Sequence, residues 1–224
     1  MTKETTAETP RAVEQDRIES IVKWAKANER PIAVIGVVVA LAAFGVWYAI
    51  AAKERREAFA RRELSQARVA ADAGNLPLAS SDLSRIVGSA GGTTAGQEAR
   101  LLLAEVRLRQ DQAELAATEL REFLASGPKP QYRAQTYELL GIALEQAGQL
   151  KAAAEAYRDG AGAAREAGYT YLSATLWLTA GRAFAAAADT AAAVTAFQQV
   201  VRDFGETSAA SEAQLRMAEL GRYE

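Results

Sequence analysis

Residues 131–160 read QYRAQTYELLGIALEQAGQLKAAAEAYRDG, and their pattern recurs along the chain. Gly141 and Ala153 are small at the positions where two antiparallel helices would cross closely. Tyr137 and Tyr157 are placed to fill the space beside these small residues. Gly148 lets the chain turn back on itself, because glycine adopts backbone conformations closed to other residues. The stretch therefore predicts a tightly crossed helical hairpin.

The same stretch resembles a tetratricopeptide repeat, in which an aromatic-x2-Leu-Gly-x2-apolar motif precedes a glycine turn and an Ala-x3-aromatic motif. The matching positions are Tyr137, Leu140, Gly141, Leu144, Gly148, Ala153 and Tyr157. The next unit matches through Trp177, Gly181, Phe184, Ala193 and Phe197, with residues 188–190 at its turn. Two good units in tandem favour repeats over an irregular helical bundle, which is the alternative.

Two weaker copies precede these units. One contains Leu103, Ala104, a turn near Asp111, Ala116, Leu120, Phe123 and Pro128, and the poorest contains Ala67, Gly74, Ala79, Leu83 and Ile86. A glycine-rich loop over residues 88–96 separates them, and SGPKP over residues 126–130 predicts a stiff turn. Residues 207–220 predict one more helix, capped by Thr207 or Ser208, that covers the open end. Residues 53–224 are thus expected to form an all-α solenoid of about four tetratricopeptide-type hairpins plus this C-terminal covering helix.

Residues 31–52, PIAVIGVVVALAAFGVWYAIAA, form a run of 22 residues without a charge, between Arg30 and Lys53. A helix of this length reaches about 33 Å, enough for a hydrocarbon core of about 30 Å. A buried helix usually has a polar stripe, and this run offers only the hydroxyl of Tyr48. A cleaved signal peptide fits poorly, since the run starts late and is too long. The run predicts one transmembrane helix.

The segments that flank this run have their own character. Residues 1–11 are polar and of mixed charge, which predicts a disordered tail. Residues 12–30 predict an amphipathic N-terminal helix on the membrane surface, with an apolar stripe of Ile18, Ile21, Val22 and Ala25. The alternative is a solvated, half-formed helix. No Pro or Gly occurs between Gly45 and Gly74, so the spanning helix is expected to continue into the first repeat.

Composition excludes several classes of chemistry. The formal net charge is −2, so nothing draws the whole chain toward nucleic acid. The sequence contains no Cys and no His, which removes thiolate nucleophiles, Cys-ligated zinc and the usual general base. We therefore expect no enzyme, no catalytic or metal site and no cofactor, and we expect protein partners instead of nucleic acid.

A stack of repeats forms a concave surface for peptides or helices. By the register of the tetratricopeptide family, this inner face would carry Glu98, Leu101, Glu105, Leu108, Arg109, Gln135, Glu138, Ile142, Glu145, Gln146, Thr175, Leu178 and Arg182. The Lys/Asn/Arg clamp with which some such repeats grip a C-terminal carboxylate is missing. An acidic to neutral face with apolar islands suits partner helices or unfolded segments. The alternative is that these residues are simply solvated helix faces.

The whole layout resembles the bacterial ancillary subunit family of the Sec translocon. A short arm with a helix like IESIVKWAKANE, one span and an Ala-rich repeat domain carry the resemblance over nearly the full chain. It implies the bacterial inner (cytoplasmic) membrane, a cytoplasmic N-terminus and a periplasmic repeat domain. It also implies partnership with the translocon and with a membrane-anchored periplasmic folding factor. Residues 204–220, FGETSAASEAQLRMAEL, also resemble repeats of envelope assembly proteins.

Two functional hypotheses follow. One is an accessory of protein secretion and periplasmic folding, and the other is a structural subunit or scaffold of another membrane complex, of the envelope or of energy transduction. The charges beside the span conflict with the first. Four basic residues precede the span, at 17, 23, 26 and 30, and six follow it, at 53, 55, 56, 61, 62 and 68. That balance alone would keep the large domain in the cytoplasm, although the rule is weak for long translocated domains.

Overall fold

A computed structural model describes residue 24 and residues 29–221 of the chain, without the side chains of residues 29–33 and 35–37. The helices are α1 (Glu29–Asp72), α2 (Leu76–Ala90), α3 (Thr94–Arg109), α4 (Ala113–Ala125), α5 (Pro130–Gln146), α6 (Leu150–Glu166), α7 (Thr170–Ala186), α8 (Thr190–Asp203) and α9 (Ser208–Leu220). No strand occurs in this described part. The predicted all-α fold class is confirmed there. The tail predicted for residues 1–11 lies outside the described residues. So does the amphipathic helix predicted for residues 12–30, except for residues 24, 29 and 30.

The chain divides into two compact units, and the first ends at Glu54. Its large apolar side chains whose burial is described are exposed to solvent, among them Val38 at 59%, Phe44 at 61% and Ile50 at 54%. The ring of Phe44 lies 5.8 Å from that of Trp47 and 6.4 Å from that of Tyr48, measured between centroids. Among the residues whose placement is described, we find no helix with both the length and the apolar character needed to cross a membrane. The span over residues 31–52 stays a prediction.

The second unit, Arg55–Glu224, consists of helical hairpins in series. Each hairpin pairs two helices: the end of α1 with α2, α3 with α4, α5 with α6, and α7 with α8. Helix α9 packs on α8 and α7 after the last hairpin. The turns inside the hairpins use a left-handed residue: Gly148 has φ +74°, and Ala188 has φ +59° without being glycine. The residue after the left-handed one donates its backbone N–H to a carbonyl oxygen in the last turn of the preceding helix. Gln149 donates in this way to Leu144 at 2.8 Å, and Asp189 donates to Phe184 at 2.9 Å.

The crossings inside the two best repeats are as close as the sequence predicts. A Cβ added at Gly141 would lie 2.4 Å from the ring of Tyr157, and one added at Gly181 would lie 2.5 Å from the ring of Phe197. Both rings are buried, at 2% and 1% exposed. Glycine therefore lets an aromatic side chain of one helix rest directly on the backbone of the other. The close crossings predicted at these two glycines are confirmed.

The flexible loop predicted for residues 88–96 is shorter than expected. Only residues 91–93 lie outside helices, because α2 runs on to Ala90 and α3 starts at Thr94. The hydroxyl of Thr93 caps α3 by accepting a hydrogen bond from the N–H of Gly96 at 3.0 Å. A Cβ at Gly96 would come 2.0 Å from the carbonyl oxygen of Ala90. The glycines in this stretch thus serve a tight junction between two helices.

The buried side chains form two separate cores that share α3. The first core joins α1, α2 and α3, and it extends from Ala60 to Val106. The second core joins α3 to α9, and it extends from Leu101 to Ala213. Within α3, Leu103 and Val106 belong to the first core, whereas Leu101 and Ala104 belong to the second. Helix α3 is therefore the element common to both halves of the stack.

Candidate functional site

The 13 residues predicted for the inner face lie on α3, α5 and α7, the first helices of three successive hairpins; we call this set the A-helix face. Its exposed members are Arg109, Gln135, Ile142, Glu145, Gln146 and Arg182, and its half-buried members are Glu98, Glu105, Leu108, Glu138 and Thr175. Leu101 and Leu178 correct the prediction, because they are only 4% and 7% exposed. Both pack in the second core and are therefore excluded from an exposed surface.

Two carboxylates lie at the middle of the A-helix face. Burial raises the pKa of Glu105, although the charges of Arg68 and Arg109 partly oppose that effect. Burial also raises the pKa of Glu138, and the negative charge of Glu105 raises it further. In residues 29–221 neither carboxylate takes part in a hydrogen bond or ion pair within normal distance. The face therefore holds two neighbouring acids whose carboxylates are engaged by no hydrogen bond and no ion pair.

The acids at the two edges of the face are engaged. Glu98 accepts a hydrogen bond from the guanidinium of Arg68 at 3.0 Å and one from the hydroxyl of Tyr132 at 3.3 Å. Glu145 accepts a hydrogen bond from the hydroxyl of Tyr157 at 2.8 Å. Burial, together with Glu145, raises the pKa of Tyr157. The ring that rests on Gly141 thereby also fixes an acid on the face.

Long polar side chains connect neighbouring repeats along the same face. The side-chain amide of Gln146 donates to the backbone oxygen of Leu108 at 3.3 Å and to the carboxylate of Asp111 at 3.2 Å. The guanidinium of Arg109 donates to the backbone oxygen of Ala71 at 3.1 Å. These bonds use up polar groups that a partner would otherwise meet. Gln146 and Arg109 therefore serve the stack itself.

A groove of about 590 Å³ opens between α5 and the start of α7. Gln131, Gln135 and Glu138 line it on α5, and Tyr169 and Tyr171 line it on the other side. The two tyrosines are 46% and 73% exposed. Gln135 and Glu138 belong to the predicted face, whereas neither tyrosine was predicted to lie on it. The signal was the triplet Tyr-Thr-Tyr at residues 169–171, just after the turn at Gly168.

Glu57 makes a contact between helices that the sequence did not predict. Its carboxylate accepts hydrogen bonds from the backbone N–H of Thr94 at 2.7 Å and of Ala95 at 3.2 Å, at the start of α3. Burial alone would raise the pKa of Glu57, but these two N–H groups and the guanidinium of Arg61 outweigh it and hold the pKa below its ordinary value. A carboxylate at a helix N-terminus also meets the positive end of the helix dipole. Glu57 thus ties α1 to α3, and no pattern within either helix announces it.

The described residues contain no group of three or more acidic side chains that could hold a metal ion. The pocket at the end of the stack, about 400 Å³ between α7 and α9, is lined by Arg182, Phe197, Arg216 and Glu219. That set offers neither a nucleophile nor an acid–base pair of carboxylates. The expectation that the chain has no catalytic, metal or cofactor site stays a prediction.

The model of the tetratricopeptide repeat-like domain family matches residues 45–176, which is more than half of the chain. No curated protein matches the sequence significantly. Similar solved structures include MamA from Desulfovibrio magneticus RS-1, at 19% identity and a TM-score of 0.52, covering 66% of this chain and 77% of that one. They also include the nearly identical TPR-like repeats of a candidate kinesin light chain from Podosopora anserina, at 18% identity and a TM-score of 0.56. That match covers 72% of this chain and 85% of the other. These similarities show the fold, and the predicted tetratricopeptide-like solenoid is confirmed.

Proposed function

We propose that this chain, which belongs to the tetratricopeptide repeat-like domain family, acts as a membrane-anchored module for protein–protein interaction. Repeat stacks of this kind generally offer an extended surface to protein partners. One observation carries the proposal: on the A-helix face, Glu105 and Glu138 are half-buried, neither makes a hydrogen bond or an ion pair in the described chain, and no cation acts on Glu138. Burying a charge without a counter-charge costs free energy on folding. Such a charge therefore favours a surface on which a partner supplies the counter-charge.

The membrane anchor is the second element of the proposal. It rests on the uncharged run over residues 31–52, whose 22 residues are enough for a bilayer core. The described part of this run presents apolar side chains such as Val39, Leu41 and Val46 to the outside, each about 60% or more exposed. A helix that is apolar all round needs an apolar environment on every side. A bilayer would supply one.

The proposed place of action is the bacterial inner membrane, with the N-terminus in the cytoplasm and the repeats in the periplasm. The proposed partners are the Sec translocon and a membrane-anchored folding factor of the periplasm. Support for both comes from the sequence resemblance to the ancillary subunit of the translocon. The alternative is a structural subunit or scaffold of another membrane complex, which the excess of basic residues after the span favours.

Cross-linking in intact cells, followed by purification of the tagged chain from solubilised membranes, tests the proposed function. Translocon subunits and folding factors in substoichiometric amounts would support the secretion role. A membrane complex of fixed ratio would instead identify a scaffold. A chain that captures no membrane partner above the level of an unrelated single-span control would contradict both.

The membrane placement is tested separately. Full-length protein should resist extraction of membranes with alkaline carbonate, and release into the supernatant would refute the span. Alkaline phosphatase fused after Glu224 should be active, because that enzyme folds only after export. An inactive phosphatase, with an active cytoplasmic reporter at the same point, would move the repeats to the cytoplasm and leave the scaffold alternative.

A further inference from the structure

The groove between α5 and α7 combines aromatic side chains with an acid that lacks a partner. Tyr171 is 73% exposed at its rim, so its ring is free to contact a ligand. Glu138 lines the same groove from α5 and is half-buried. The amide side chains of Gln131 and Gln135 add hydrogen-bonding groups of no net charge. The groove thus offers an aromatic surface, one negative charge and neutral polar groups.

The chain itself does not neutralise this charge. In residues 29–221 the carboxylate of Glu138 makes no hydrogen bond and no ion pair, and the charged group that acts on it is another acid, Glu105. By contrast, Glu98 on the same face is paired with Arg68 at 3.0 Å, and the charges of Arg68 and Arg109 act on Glu105. Glu138 thus has neither a paired cation nor the influence of a distant one.

We propose that this groove binds a basic segment of a protein partner, and that an arginine of the segment lies between the ring of Tyr171 and the carboxylate of Glu138. A guanidinium is suited to both contacts, because it stacks on aromatic faces and donates two parallel hydrogen bonds to a carboxylate. Charge complementarity selects this occupant, since an acidic segment or a C-terminal carboxylate would be repelled by Glu138 and Glu105. The inference rests on the proposed function and names the chemistry of the partner.

A peptide-binding measurement tests the inference with the full-length chain in detergent micelles. The probe is a short fluorescein-labelled peptide in which arginines alternate with serines, and its control carries glutamine in place of every arginine. Fluorescence anisotropy gives the affinity of each. The variants are Glu138→Gln, Tyr171→Ala and Tyr171→Phe, and Glu155→Gln on the exposed surface of α6 is the matched control for loss of one negative charge.

The arginine peptide should bind the parent chain, and the glutamine peptide should bind at least about tenfold more weakly, as expected for charge-assisted contacts. Glu138→Gln should weaken binding of the arginine peptide by about tenfold. Tyr171→Ala should weaken it by about 2–5-fold, whereas Tyr171→Phe keeps the ring and should stay within about twofold of the parent. Glu155→Gln should also stay within about twofold, because the groove is untouched.

Three results would overturn the inference. Equal losses in Glu138→Gln and Glu155→Gln would mean that the peptide senses only the overall charge. Equal binding of the two peptides would show an occupant that is not basic. The third result is self-association: unlabelled chain displaces the peptide, the chain associates with itself, and Glu138→Gln abolishes this association. That result would assign the groove to a second copy of the chain. None of these would affect capture of partners in cells, so the proposed function would stand or fall on its own test.

Discussion

Replacing Gly181 by alanine tests whether α7 and α8 cross as closely as the structure has it. A Cβ at this position would lie 2.5 Å, 2.6 Å and 3.0 Å from three ring atoms of Phe197. The ring is 1% exposed and is enclosed by the second core, so it cannot swing into solvent. Alanine would therefore push the two helices apart or force the ring off its preferred rotamer.

The expected loss of stability follows from two opposing terms. Overpacking of a filled core typically costs about 1–3 kcal/mol, and overlap with three ring atoms places this case in the upper part of that range. Replacing a glycine inside a helix by alanine gains about 1 kcal/mol. The net loss is then about 1–2 kcal/mol, which corresponds to a fall in Tm of roughly 2–8 °C for a domain of this size.

The assay is thermal unfolding of residues 53–224, followed by circular dichroism. Gly162→Ala is the matched control, since Gly162 lies inside α6 and an added Cβ meets nothing within 4 Å. The control should gain up to about 1 kcal/mol, because only the helix-forming term remains. If Gly181→Ala were to gain stability as Gly162→Ala does, Phe197 would not rest on the backbone of α7 and the reasoning would be refuted.

Three further predictions concern the same domain. Residues 53–224 alone should be soluble, highly helical and cooperative in melting, and substantial strand content in the circular dichroism spectrum would contradict the repeats. Ala188→Gly should raise the stability by about 1 kcal/mol, because φ is +59° there, whereas Ala187→Gly, with φ −78°, should lower it by a similar amount in the same denaturation assay. Glu57→Gln should destabilise the domain at neutral pH, because the pKa of Glu57 is lowered on folding and its contribution to stability is therefore present above pH 4.5. This contribution disappears as the pH falls through the folded pKa, so the free energies of unfolding of parent and variant, measured by urea titration, should converge in acid. A difference in free energy that does not change with pH would show that Glu57 does not cap α3.

Features carried by local pattern could be predicted from the sequence. The pairs Gly141 with Tyr157 and Gly181 with Phe197 are each 16 residues apart within one hairpin, so a single repeat contains both partners. Only a residue without a Cβ leaves room for the ring at the crossing, so the glycine and the aromatic residue occur together. That is why the hairpins and their close crossings followed from the residues alone.

Features that depend on how repeats pack on one another could not be predicted. The family register places Leu101 and Leu178 on the inner face, yet both are buried in the second core. Glu57 meets Thr94 from 37 residues away, and nothing in either local sequence requires that contact. Tyr171 was missed because an exposed aromatic residue at a helix start is not part of the repeat pattern.

The shared helix α3 has a consequence for the order in which the domain can form. A chain delivered from its N-terminus, during synthesis or during passage through a narrow channel, presents every member of the first core once Val106 has emerged. The second core needs residues as far as Ala213, so it closes roughly a hundred residues later. In the interval α3 would expose Leu101 and Ala104 to water. A vectorially delivered chain would therefore pass through a half-built stage with an apolar edge, which is the kind of surface that chaperones recognise.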